Sequence, residues 1–161
     1  MLTAEDYNEA VELWADDAYR FALSCCGDTE RSKDAVQEAF TRLWEHRKEL
    51  TKERCKGFLI LVTQRRLRDD FRHDKVVAAA HSTMAREQEP YSTPSIDYEL
   101  SDSIHKAMSQ LSEKQRTILT LHDIEGYSYG EIASILEANY REMQVAAFRA
   151  RVKMKKLLLS D

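Results

Sequence analysis

What most constrains this chain is its shortage of helix-breaking residues: four glycines and two prolines in 161 positions. Glycine and proline punctuate strands and shape hairpin turns, so a chain this poor in both has little means of building a sheet. Long helices remain. A hydrophobic fraction of 43% is enough for a core, and a charged fraction of 32% leaves wide solvated faces. Together they describe amphipathic helices packed on one another. The chain is therefore read as all-α, in two small helical domains joined by a linker. No apolar run approaches the roughly 20 residues of a membrane span. The early carboxylates Glu5, Asp6 and Glu9 are wrong for a secretory signal, so a cytoplasmic location is expected. Cys25, Cys26 and Cys55 are odd in number and lack zinc-like spacing, which reads as reduced thiols partly in the core.

The few breakers fall where elements should end. Val11, Trp14, Ala18, Phe21 and Cys25 step by three and four, predicting a first helix over about 4–26 that stops at Gly27. Asp28 is placed to cap a second helix carrying Val36, Ala39, Phe40, Leu43 and Trp44 on one face. A polar stretch from Lys48 to Gly57 reads as loop. Phe58, Leu59, Leu61, Val62, Leu67 and Phe71 then mark a third helix running to Lys75. Both prolines, Pro90 and Pro94, lie in a segment poor in aliphatics, and each disfavours helix in the residue before it. That places a linker at 83–99 between a first domain, 1–82, and a second, 100–161.

Net charge is −4, which by itself argues against a nucleic-acid partner. The distribution reverses that. Residues 1–50 hold 6 Lys/Arg against 12 Asp/Glu, whereas residues 51–75 hold 8 against 4. Residues 76–136 return to 4 against 9, and residues 137–161 hold 6 against 3. Two basic islands in an acidic chain suit a protein that touches phosphates at two places and a protein elsewhere. Either island alone is equally well the solvated face of a helix.

The second half has its own punctuation. Ser112 with Gln115, and Ser128 with Glu131, have capping-box spacing ahead of Ile118–Leu121 and of Ile132–Leu136. Gly126 separates these two helices. Glu137-Ala138-Asn139 is a three-residue turn, and Asn139 can cap a last helix whose Met143, Ala147, Ala150, Met154 and Leu157 form one apolar stripe. A short helix, a tight turn and a longer helix with a basic outer face make a helix-turn-helix pattern. Arg141, Glu142, Gln144, Val145, Phe148, Arg149 and Arg151 point outward. Arginine can read guanine, glutamine adenine, and an apolar group the thymine methyl. Arg149, Arg151 and Lys153 are read as phosphate contacts.

The order of these segments resembles the small two-domain sigma factors of the sigma-70 family, of the extracytoplasmic-function (ECF) type. Asp34-Ala35-Val36-Gln37-Glu38-Ala39-Phe40-Thr41-Arg42-Leu43-Trp44 is similar to that family's core-polymerase-binding segment. The resemblance implies that Asp34, Gln37, Glu38, Arg42 and Trp44 dock on polymerase, while the rings of Phe40 and Trp44 are read mainly as core. Phe58-Leu59 through Arg65-Arg66-Leu67-Arg68-Asp69-Asp70-Phe71-Arg72 is similar to the helix that binds the −10 promoter element. It implies a −10 site of Lys52, Arg54, Lys56, Arg65, Arg66, Arg68, Arg72, His73 and Lys75, with an extruded base at the loop Thr51 to Gly57. Leu111 to Arg116, Asp123 to Ala133 and Arg149-Ala150-Arg151 are similar to the −35-binding domain. The implied −35 site is Asn139, Arg141, Glu142, Gln144, Val145, Phe148, Arg149, Arg151 and Lys153.

The sequence departs from the family's pattern at several positions. Ser112 stands where proline is usual and Arg65 where asparagine is common. Ala147 replaces a leucine, Met143 a valine, and Glu137 stands where many members have glycine. The implied partners are core RNA polymerase, promoter DNA and an anti-sigma factor, often membrane-bound. No cofactor, metal or small-molecule substrate is implied, and no catalytic constellation is found: His46, His73, His81, His105 and His122 are scattered. The competing reading is a stand-alone helix-turn-helix regulator binding duplex DNA as a dimer, and a blander one is a helical adaptor for proteins. The basic island beside Asp34–Trp44 argues for a promoter-specificity subunit, since a simple repressor has no use for it.

Overall fold

The structure, a computed structural model, describes residues 1–80 and 98–160, and the backbone alone at 98–101. Most of the expected linker, 83–99, lies outside the described residues, except that Tyr98 and Glu99 already belong to a helix. The chain falls into two compact units, Met1–Glu89 and Pro90–Asp161. Among the described residues every regular element is helical.

The first unit packs α1 (Ala4–Cys26), α2 (Thr29–Glu45) and α3 (Lys52–Ala80), each against the other two. Thr3 opens α1 with a reciprocal cap: its hydroxyl accepts from the Asp6 N–H at 3.1 Å, and the Asp6 carboxylate accepts from the Thr3 N–H at 2.9 Å. Gly27 ends α1 at φ +67°, a left-handed residue that glycine adopts without steric cost. Asp28 caps α2 as expected. The buried residues of α2 are Ser32, Ala35, Ala39, Phe40 and Leu43, with a small-residue stripe at Ser32, Ala35 and Ala39. Leu2, Ala10, Ala39, Phe40, Leu43, Cys55, Leu59 and Val62 form a continuous core. The buried hydroxyls of Ser32 and Thr63 donate to the carbonyls of Asp28 and Leu59, four residues back, at 2.7 Å each, so neither is left unsatisfied.

Two expectations need correction in this unit. The polar stretch read as loop to Gly57 becomes helix at Lys52, because Cys55 is 2% exposed and continues the Leu59–Val62 face one turn back. Lys52 to Gly57 is thus the first turn and a half of α3, not a loop, and only Thr51 precedes the helix. Val11, assigned to the core face of the first helix, is 36% exposed. Tyr7, Ala10 and Trp14 pack there instead.

In the second unit α7 (Tyr140–Leu159) is the element against which α4 (Tyr98–Ser109), α5 (Glu113–Leu119) and α6 (Tyr129–Ile135) pack. Met143, Ala147 and Ala150 are buried to 1% or less, as the apolar stripe predicts. Ser112 and Gln115 close a full capping box. At α6 the Ser128 hydroxyl accepts from the Glu131 N–H, while the Glu131 carboxylate accepts from that hydroxyl rather than from the Ser128 backbone. Only half of the expected box therefore forms. Beyond what periodicity predicts, α5 widens into a π turn over Thr120–Ile124, where the Glu125 N–H donates to the Thr120 carbonyl. Gly126, at φ +81°, follows it.

Candidate polymerase and nucleic-acid interfaces

The face of α2 opposite its small-residue stripe carries Asp34, Gln37, Glu38 and Arg42. Asp34, Gln37 and Arg42 are exposed; Glu38 is half-buried. Glu38 accepts from Arg42 Nε at 3.1 Å and, with its other oxygen, from Arg66 of α3. Arg66 holds the Glu38 carboxyl below the ordinary carboxylate range, against a desolvation cost, with Arg42 adding to the shift. Trp44 is not mainly core: it is 39% exposed, whereas Phe40 is 8% exposed. Its ring meets Tyr7 edge-on at 5.1 Å between centroids and carries the Arg47 guanidinium 4.0 Å above it. Tyr7 and Arg47 also belong to this surface: Tyr7 reaches Trp44 from α1 by packing, which sequence does not show, whereas Arg47 is an i, i+3 neighbour that the sequence does offer.

The cations of α3 sort into two groups. Lys52 lies 2.8 Å from Asp6 and 3.3 Å from Glu9, tying the start of α3 to the start of α1. The Lys52 hydrogen bond is the main reason the Asp6 carboxyl is held at about 2. Lys56 lies 3.9 Å from Asp17, and Arg66 pairs with Asp70 at 3.1 Å as well as with Glu38. Arg68 sits 3.8 Å from Asp69, and its buried Nε has no hydrogen-bond partner. Lys75 stands over the Phe71 ring at 4.7 Å. Arg54, Arg65, Arg72 and His73 are exposed. Of these, Arg54 and Arg72 enter no ion pair among the described residues. The island that sequence presented as one run of positive charge therefore has members already neutralised by carboxylates and members open to an anion.

In α7, Asn139 caps the first turn, accepting from the Arg141 N–H at 2.8 Å. Arg141, Glu142, Gln144, Val145, Phe148 and Arg149 are all exposed, with Val145 at 48% and Phe148 at 68%. A large aromatic on the face turned away from the core has no packing role within the unit. Glu142 lies 3.8 Å from Lys114, and Lys153 donates to the Gln110 carbonyl at 2.8 Å. Arg151 is bound bidentately by Asp123 of the π turn, Nε at 3.2 Å and a terminal nitrogen at 2.6 Å. Asp123, and after it Tyr129, raises the Arg151 pKa further. Tyr129 in turn stacks on His122 at 4.0 Å and meets Tyr140 edge-on at 6.5 Å. The turn residue Glu137 has φ +55°, which explains why glycine suits that position.

The three thiols are free, and burial pushes those of Cys26 and Cys55 up, the opposite of a reactive cysteine. Among the described residues no group of His, Cys, Asp and Glu could hold a metal, and no helix is long and apolar enough to cross a membrane.

Residues 10–76 match the family described as sigma-70 region 2, and residues 101–154 that described as sigma-70 region 4. The ECF RNA polymerase sigma factor SigM of Bacillus subtilis is 27% identical over 152 residues, 93% of each chain. The ECF RNA polymerase sigma factor EcfG of Rhodopseudomonas palustris is 26% identical over 88% of this chain and 78% of its own. Among solved structures, the sigma factor RpoE of Bartonella quintana, in complex with the anti-sigma factor NepR, superposes with a TM-score of 0.82. That match covers 98% of this chain and 99% of that one, at 19% identity, and it speaks for the fold.

Proposed function

This chain belongs to the sigma-70 family, as an ECF-type promoter-specificity subunit that joins core RNA polymerase and directs transcription initiation, and from that premise we propose how its surfaces divide the work. Residues 1–82 form the polymerase and −10 domain, 83–99 the linker and 100–161 the −35 domain. Asp34, Gln37, Glu38, Arg42 and Trp44 dock on polymerase, the basic side of α3 follows the separated strand near −10, and α7 enters the duplex at −35.

One observation carries most of this reading: α7 exposes Phe148 and Val145 among Arg141, Gln144 and Arg149, directly opposite the stripe that holds its core. That is the arrangement by which a helix reads a major groove, arginine and glutamine on base edges and apolar groups on thymine methyls. Opening DNA costs about 1.4 kcal/mol per base-pair step in stacking, more over several steps than one small domain repays. The protein therefore acts with polymerase rather than alone; a regulatory subunit without catalysis of its own, working in the cytoplasm beside polymerase, is part of the same proposal. The solved relative was captured with an anti-sigma factor. A partner of that kind is proposed for this chain too, covering its polymerase or DNA surfaces.

The test is reconstitution: core polymerase with this protein should initiate at discrete promoters that neither component uses alone. Tight binding of the isolated protein to a palindromic duplex, without association with polymerase, would favour the stand-alone regulator and sink the assignment.

A further inference from the structure

Tyr140 has no part in the surfaces assigned above, yet it is half exposed at the first position of α7 and occupied on two sides. On one side its ring meets Tyr129 of α6 edge-on. On the other, its hydroxyl accepts a hydrogen bond from Gln144 Nε2, one turn along α7, at 3.3 Å. Tyr129 itself stacks on the His122 ring, and its hydroxyl, after Asp123, raises the pKa of Arg151, which Asp123 grips bidentately. A continuous row of contacts thus runs from the π turn through α6 to the carboxamide of Gln144.

We propose that Tyr140 is a positioning residue for base recognition: through Tyr129 and its own hydroxyl it fixes the Gln144 carboxamide in the orientation that selects adenine at one −35 position. A glutamine amide has two N–H donors and one carbonyl acceptor. Bidentate readout of adenine uses one N–H towards N7 and the carbonyl towards the N6 amino group. The bond to Tyr140 occupies the remaining N–H, so the two groups adenine requires stay available and the amide is held against a half-turn that would exchange them. Without that bond the amide is free to present either end, and a long polar side chain must also be ordered on binding. The inference rests on Gln144 being a base reader, as proposed above.

The experiment uses polymerase carrying this protein and a promoter library randomised across the −35 region, read by transcript sequencing. Gln144→Ala should flatten the preference at a single position by about 5- to 150-fold, the range of one base contact. Tyr140→Phe, which keeps the ring on Tyr129, should weaken adenine preference at that same position by about 2- to 12-fold, one hydrogen bond's worth. It should leave the preferences at other positions unchanged. The double variant should match Gln144→Ala alone. Full retention of preference by Tyr140→Phe at the position that Gln144→Ala flattens would overturn the role of Tyr140 and leave Gln144 as reader. A uniform loss across all promoters in Gln144→Ala would overturn both.

Discussion

Gly126 and Gly130 lie four residues apart and serve opposite ends. Gly126 sits at φ +81° with open space around its missing Cβ, so an alanine there meets no neighbour but must adopt a left-handed backbone. Gly126→Ala should therefore cost about 1 kcal/mol in a urea titration. Gly130 lies in the first turn of α6, and its nearest obstacle, the Ser128 hydroxyl, is at an ordinary 3.9 Å. Gly130→Ala should instead stabilise by up to about 1 kcal/mol, through helix propensity alone. Equal effects of the two would contradict the backbone assignment. Asp6 offers a second test at this scale. Its folded pKa of about 2 lies below its ordinary 3.8, so its pairing with Lys52 stabilises the fold above that ordinary value and is lost as pH falls through about 2. Asp6→Asn should lower the melting temperature at pH 7, and the gap from the parent should shrink between about pH 4 and pH 2. A gap independent of pH would mean that the ionised carboxylate, through Lys52 and the Thr3 cap together, contributes nothing to the difference. Gly126 was legible as a breaker from its place between two apolar runs. The Asp6–Lys52 bridge was not, since 46 residues separate its partners and nothing local announces the pair.

At the scale of elements, caps and periodicity did most of the work. Ser112, Asp28 and Asn139 cap the helices they precede, because a side-chain oxygen must satisfy first-turn N–H groups that have no partner within the helix. Asn139→Ala should destabilise the second unit by about 1 kcal/mol. It should also lower −35-dependent initiation more than initiation at promoters that lean on the −10 element. Arg141→Ala, one position into α7, should relax promoter choice at a single base pair if Arg141 reads a base, at about 1–3 kcal/mol. A loss spread evenly over promoters would mark a phosphate contact. Periodicity was weakest where polar residues outnumber apolar ones. The first turn of α3 reads as loop because Lys52, Glu53, Arg54 and Lys56 surround a single buried residue, Cys55. The π turn over Thr120–Ile124 left no mark on the 3.6-residue pattern: its Thr120 and Leu121 are buried as an ordinary continuation of α5 would bury them.

At the scale of the whole chain, charges within the first unit couple surfaces that sequence treats separately. Glu38, assigned to polymerase docking, and Arg66, assigned to the −10 strand, are partners in one network with Arg42 and Asp70. Asp34 stands apart from that network on the same face. Asp34→Lys should therefore weaken polymerase binding at an unchanged melting temperature. Glu38→Lys should weaken binding and also destabilise the fold, by roughly the 0–1 kcal/mol typical of exposed pairs and somewhat more if Arg66 is left uncompensated. Unchanged affinity in Asp34→Lys, measured by titration against core polymerase, would remove α2 from the interface. By itself the sequence determined the helical class, the two-part organisation, the capped helix-turn-helix and the family. Each rests on local periodicity, capping or the order of short motifs, all of which are properties of neighbouring residues. Only the tertiary structure decided that Arg66 of α3 is held by Glu38 of α2, that Lys52 of α3 is held by Asp6 and Glu9 of α1, that Trp44 stands on the surface against Tyr7, and that Tyr129 of α6 lies behind Tyr140 of α7. Those follow from where separate helices come to lie against each other, and the strength of a charge or a hydrogen bond depends on the distance to partners that sequence order does not specify.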